Sequence, residues 1–196
     1  MRFAIMILAL ALLVPAGVSR ADVGTPQPVP KPARPAIDDH PGEEEDTQDP
    51  RQQAERYYRD ASDEVARGNK DLAAGNSRSA EDEFRRALQR GRDAVTLDST
   101  YAEAWNLVGF TSRMLGDYPG SLTACRAALR QKPDFAPAHE DLGEGLLESG
   151  DPAGAGEQLE ALRRIGDTAL VAQLQVAIDR WHAAHPDSTT AGPSAR

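Results

Sequence analysis

The groups in this 196-residue chain that could do chemistry are few: four histidines, one cysteine and an excess of acids over bases, 31 against 22. His182 and His185 are three apart, which on a helix brings two imidazoles together. No third ligand lies near them in sequence, and a zinc site takes three or four protein ligands. A histidine at a helix C-terminus also complements the dipole, so this pair is expected to be a solvated helix end. His139-Glu140-Asp141 lacks a second His at metalloprotease spacing. There is no Gly-rich phosphate loop, and neither a Ser-His-Asp nor a Cys-His set has supporting context. The sequence therefore nominates no catalytic residue, no metal and no cofactor, and the expectation is a non-enzyme.

The spacing that does stand out is that of binding faces. Glu140, Glu144 and Glu148 recur every four residues and must share one side of a helix, at a cost of roughly 0.2–0.5 kcal/mol per like-charged pair. Such a row either solvates an exposed face or forms an acidic wall. Phe110 and Met114, also four apart, share a face of their own. Trp105 and Trp181 could stack a ligand but fit core positions better, because aromatics bury most of their area in packing. Cys125 has no partner in the chain and is expected to be a small buried apolar residue. An intermolecular disulfide is the alternative.

Residues 1–21 join one positive charge, Arg2, to an apolar run from Phe3 to Val14, then Pro15 and the small-residue site Ser19-Arg20-Ala21. That is the plan of a secretory signal peptide cut before Asp22, and the run is shorter than the ~20 residues that span a bilayer. No Cys follows it to carry a lipid. After cleavage no membrane span is expected, and the chain should be periplasmic or secreted from a bacterial cell. Losing Arg2 and Arg20 takes the formal charge from −9 to −11. With no basic patch, nucleic acid and anionic lipid are excluded as partners, because both demand clustered Lys and Arg. Residues 22–49 carry six prolines, five of them at short spacing from Pro26 to Pro35, and a net charge of −6, from eight acids against Lys31 and Arg34. This segment is expected to be a disordered tether.

Asp49-Pro50 opens the folded part: Asp49 can cap a helix and Pro50 suits its first turn. From there to His185 helical apolar spacing dominates and strand alternation is absent, so the domain is predicted all-α. A shift of 34 residues superposes Ala102 on Ala136, Ala104 on Ala138, Gly109 on Gly143, Gly116-Asp117 on Gly150-Asp151, Gly120 on Gly154 and Ala127 on Ala161. Each unit reads as helix, tight turn, helix. Glycine takes the left-handed position that ends the first helix and aspartate caps the second. Upstream the best shift is 41, placing Gly68 on Gly109, Gly75 on Gly116 and Phe84 on Cys125. The seven extra residues rotate a helix face by only ~20°, so the buried stripe survives them. They are assigned to a long second helix, supported by the pairs Glu81–Arg85 and Asp82–Arg86, with Gly91 its weak point. Leu170, Leu174, Ile178 and Trp181 form the stripe of a capping helix over 168–184, followed by a frayed tail over 186–196.

Ala104-Trp105, Val108-Gly109, Leu115-Gly116-Asp117-Tyr118, Ser121, Ala128 and Pro133 together resemble the tetratricopeptide repeat. Residues 102–135 match well. Residues 136–167 match less well, with His139 in place of the Trp. The resemblance implies a right-handed superhelical stack of about three repeats, at about 51–101, 102–135 and 136–167, within a domain over 50–185. It also implies a concave groove lined by set positions of each first helix. Those positions are Glu103, Asn106, Phe110, Arg113 and Met114, then Pro137, Glu140, Glu144, Leu147 and Glu148. Family members that act as chaperone adaptors hold a terminal carboxylate with Lys, Arg and Asn in the groove. Here only Asn106 and Arg113 stand among glutamates, so an acidic tail is not the expected ligand. The expected function is a scaffold or adaptor that binds another protein or peptide, with a basic or amphipathic segment suiting the groove. The alternative is a structural or assembly subunit of an envelope complex or homo-oligomer.

Overall fold

The computed structural model describes residues 49–186. The expected signal peptide over 1–21, all but the last residue of the expected tether over 22–49 and the expected tail beyond 186 lie outside the described residues. All seven described helices belong to one unit, Glu44–Arg196. They are α1 (Pro50–Ala73), α2 (Ser77–Leu97), α3 (Ala102–Met114), α4 (Tyr118–Gln131), α5 (Ala136–Glu148), α6 (Pro152–Ile165) and α7 (Thr168–Ala184). Among the described residues there is no strand, as the sequence predicts, and no helix is long and apolar enough to cross a membrane.

Helix pairs α1–α2, α3–α4 and α5–α6 each turn on a glycine in the left-handed region: Gly75, Gly116 and Gly150, with φ of 80°, 79° and 82°. A side chain there would be strained by its own backbone, although nothing lies within 4 Å of where a Cβ would sit. In the second and third pairs the next residue caps the following helix. Asp117 accepts from the Gly120 amide at 3.0 Å and Asp151 from the Gly154 amide at 2.9 Å. The first turn has Asn76 instead, with no side-chain cap.

Glycines also set how closely helices approach. A Cβ on Gly109 would lie 2.4 Å from Cys125 Sγ, and one on Gly68 would lie 2.7 Å from the Phe84 ring. The 41-residue correspondence thus reproduces the same contact one pair earlier. Gly91, the doubtful residue of the long helix, lies inside α2 with Leu107 and Val108 of α3 3.0 Å from a would-be Cβ. It is the close approach of α3 that makes glycine fit there. Cys125 is fully buried in this seam, and burial pushes its thiol up to about 12.

The first pair is longer than the others at one end only. Seven residues extend the C-terminus of α2 beyond the length of α4, and eleven extend the N-terminus of α1 beyond that of α3. In an antiparallel pair those ends meet, so the insertion expected in α2 has a partner in α1 to pack on. Arg51 fastens this end, pairing with Asp98 at 2.6 Å and lying 3.9 Å from the Tyr101 ring centre. On the exposed side of α2 the Glu81–Arg85 pair forms, whereas Arg86 turns to Glu83 at 2.7 Å rather than to Asp82.

Helix α7 closes the stack, burying Leu174 and Ile178 against the core that holds Leu142, Leu146 and Leu162. Only Gly166-Asp167 joins α6 to α7, whereas four residues, Lys132 to Phe135, join α4 to α5. The inward stripe therefore returns after 32 residues: Leu142 and Leu146 are matched by Leu174 and Ile178, not by the residues 34 further on.

Candidate functional site

Side chains from α1, α3, α5 and α7, the first helix of each pair and the closing helix, line a groove with three adjoining depressions. The first, about 340 Å³, lies among Tyr58, Val65, Phe110, Phe135 and Pro137. The second, about 680 Å³, has Phe110, Arg113, Glu140 and Glu144 on one side and Ala172, Val176 and Arg180 of α7 on the other. A third, about 370 Å³, continues past Glu148 toward Trp181 and His185. Phe110 and Asp141 line both the first and the second, so these are neighbours across one aromatic ring.

Arg113 organises the charge. Its side chain is only 10% exposed and reaches Asp141 at 3.3 Å, Glu144 at 2.7 Å and Glu148 at 3.5 Å. Asn106 completes the cluster by donating to Asp141 Oδ2 at 2.9 Å. The cluster ties α3 to α5. Burial pushes the Asp141 carboxyl up to about 6, although Arg113 and Asn106 both favour its charged form. Burial likewise raises Glu148, against the pull of Arg113.

Glu140 is different. Among the described residues no hydrogen bond or ion pair reaches it, and burial together with Glu144 and Asp141 pushes its carboxyl up to about 8. Arg180, across the depression on α7, is exposed and likewise has no ion pair among the described residues.

The expected groove residues therefore divide into groups. Phe110 is half-buried, edge-on to Phe84 with ring centres 6.1 Å apart, and Met114 is half-buried one turn further on. Glu103 pairs with Lys132 at 3.1 Å, and Pro137 is exposed at the groove wall. Glu144 and Glu148, expected as an open acidic wall, are instead joined to Arg113. Leu147 is 5% exposed and packs into the core, with its edge at the wall of the third depression. Asp141, passed over in the sequence, turns out to be the buried centre of the cluster. Its position between Asn106 and Arg113 arises from the packing of α3 on α5, which no spacing within one helix reveals. The α7 wall was also missed. A shift of 32 applied to Glu140, Glu144 and Glu148 leads to Ala172, Val176 and Arg180, and the shorter α6–α7 link was the available signal.

The other candidates have structural places. Trp105 donates from Nε1 to the Ser99 carbonyl at 2.8 Å, and His139 repeats this bond through Nε2 to the Pro133 carbonyl, also at 2.8 Å. Donor and acceptor both shift by 34, so His139 substitutes for the tryptophan in the turn. His182 and His185 pack on Trp181, the latter stacked at 4.3 Å between ring centres.

These helix pairs, turns and seams define a tetratricopeptide-like helical repeat protein. No protein-family model and no curated protein sequence matches the chain. Among solved structures it is similar to the type III secretion translocator chaperone SycD of Yersinia enterocolitica, at 12% identity and a TM-score of 0.49 over 64% of this chain and 85% of that one. That likeness is one of chain path alone.

Proposed function

We propose that this protein is an exported scaffold, without catalytic activity, whose groove binds a basic or amphipathic segment of another protein. The observation that carries the reading is the makeup of the groove. Glu103, Glu140, Asp141, Glu144 and Glu148 outnumber Arg113, Arg180 and Lys132 beside the apolar surface of Phe110 and of Val176, which is 45% exposed. Apolar anchors give affinity and a surrounding excess of one charge selects the opposite sign. Export rests on the signal-like segment 1–21, and residues 22–49 serve as a Pro-rich acidic tether ahead of the repeats.

The test is crosslinking of the mature chain in a bacterial envelope extract. The intact chain captures a partner, and the double variant Glu140→Lys with Glu148→Lys captures at least about tenfold less, as does the intact chain at high salt. No capture by the intact chain in repeated trials sinks the reading, and capture indifferent to both changes moves the site off this groove. Cell fractionation with N-terminal sequencing checks export, for which a mature chain beginning at Asp22 outside the cytoplasm is expected.

A further inference from the structure

Resting on that reading of the groove, we infer that its occupant presents two neighbouring side chains: a Lys or Arg that seats beside Glu140, opposite Val176, and an apolar residue that seats across Phe110, against Tyr58, Val65 and Phe135. The two adjoining depressions differ in kind. The one among α1, α3 and the start of α5 is the more apolar, with Phe110, Phe135 and Pro137 facing Tyr58 and Val65, although Ser62, Asn69 and Glu103 also reach its edge. The one between α5 and α7 carries the charge, and within it Asp141 and Glu144 are already engaged by Arg113. Glu140 is the carboxylate left without a partner, and Phe110 is the ring that separates the two places. One cation from outside satisfies Glu140, while a second carboxylate there adds to a crowd of four acids.

Binding of this kind is coupled to protons. The charged groups facing Glu140 are Arg113 on α3, Asp141 and Glu144 on α5 and Arg180 on α7. In the unoccupied groove Glu140 titrates near 8, so it is mostly protonated at neutral pH. A seated cation favours the carboxylate and expels that proton, so affinity rises with pH through this window. Above about pH 7 Asp141 is already ionised, and the Cys125 thiol stays protonated well past the window.

Three fluorescein-labelled peptides test the proposal on the full mature chain by fluorescence anisotropy: one alternating Leu and Lys, one alternating Leu and Gln, and one alternating Ser and Lys. The Leu-Lys peptide is expected to bind at least about tenfold tighter than either of the others, and about fivefold tighter at pH 8.5 than at pH 7. Glu140→Gln removes both the Lys preference and the pH dependence, whereas Glu157→Gln, on the exposed side of α6 away from the groove, keeps them. Equal binding of the Leu-Lys and Leu-Gln peptides, or a Lys preference that survives Glu140→Gln, overturns the cation seat and leaves the groove as a protein-binding surface. Equal binding of Leu-Lys and Ser-Lys overturns the apolar seat. Failure of all three peptides to bind overturns this inference and the groove reading together.

Discussion

The second and third repeats have the same backbone plan and different surfaces. Their turns superpose in detail: φ of 79° and 82° at Gly116 and Gly150, caps of 3.0 and 2.9 Å from Asp117 and Asp151, and the same ring-to-carbonyl bond from Trp105 and His139. Facing the groove, however, Asn106, Phe110 and Met114 are replaced 34 residues later by Glu140, Glu144 and Glu148. Residues that shape the chain are repeated, and residues that meet the groove are not. The seam glycines lie between these extremes. Gly109 is filled by Cys125 of its own repeat, while Gly143 is filled by Leu174 of α7, whose Cδ2 would be 2.6 Å from a Cβ there.

The contrast can be broken most forcefully at those glycines. Gly109→Ala is expected to cost about 3 kcal/mol, because the new methyl meets Cys125 Sγ and also has the Cys125 amide nitrogen at 3.3 Å. Cys125→Ala in the same chain should recover part of that loss. Gly143→Ala should cost less, about 1–2 kcal/mol, since only the movable Leu174 side chain stands in the way. Urea unfolding of the four chains measures the order, and equal costs at the two glycines would erase the distinction.

Next in size is Glu140→Gln. A carboxyl raised to about 8 in the fold and near its ordinary value in the unfolded chain makes the folded state bind the extra proton, so stability falls as pH rises between those values. The variant lacks that loss. It is expected to be more stable than the parent by at least about 1 kcal/mol at pH 8 and equal to it at pH 4. Melting temperatures at both pH values decide this, and a difference independent of pH would contradict it.

Gly116→Ala and Gly150→Ala should each cost about 1 kcal/mol, and by the same amount, because both are paid by backbone strain with no neighbour involved. Smallest is Trp105→Phe, which removes the bond to Ser99 while keeping a ring, for about 0.5–1 kcal/mol. His139→Phe should lose about as much, since it gives up the equivalent bond to Pro133 along with one to Gln158. Unequal losses at the paired positions would show that the repeats are less alike than their geometry.

Helices and turns were legible because they depend on local chemistry. Gly116-Asp117 signals a turn from two residues, and the 34-residue period needs only self-comparison. The cluster around Arg113 was half legible. The spacing of Glu140, Glu144 and Glu148 predicts a shared face, but the cation that joins two of them comes from a helix 28 residues earlier in sequence, as measured from Asp141. Asp141 itself lies on the side of α5 toward α3, and only the packing of those helices distinguishes it from Glu140. Leu147 shows the converse: a position assigned to the groove by family resemblance lines its third depression and is also drawn into the core once α7 docks.

The two-residue link before α7 also bears on how this array can be lengthened. Leu142 stands six residues after the start of α5 and Leu174 six residues after the start of α7, so the shorter joint moves the start of the helix and leaves its inward face in phase. A unit whose first helix begins at position 168 would therefore seat its own apolar stripe on Leu142 and Leu146, and the joint itself does not bar another repeat.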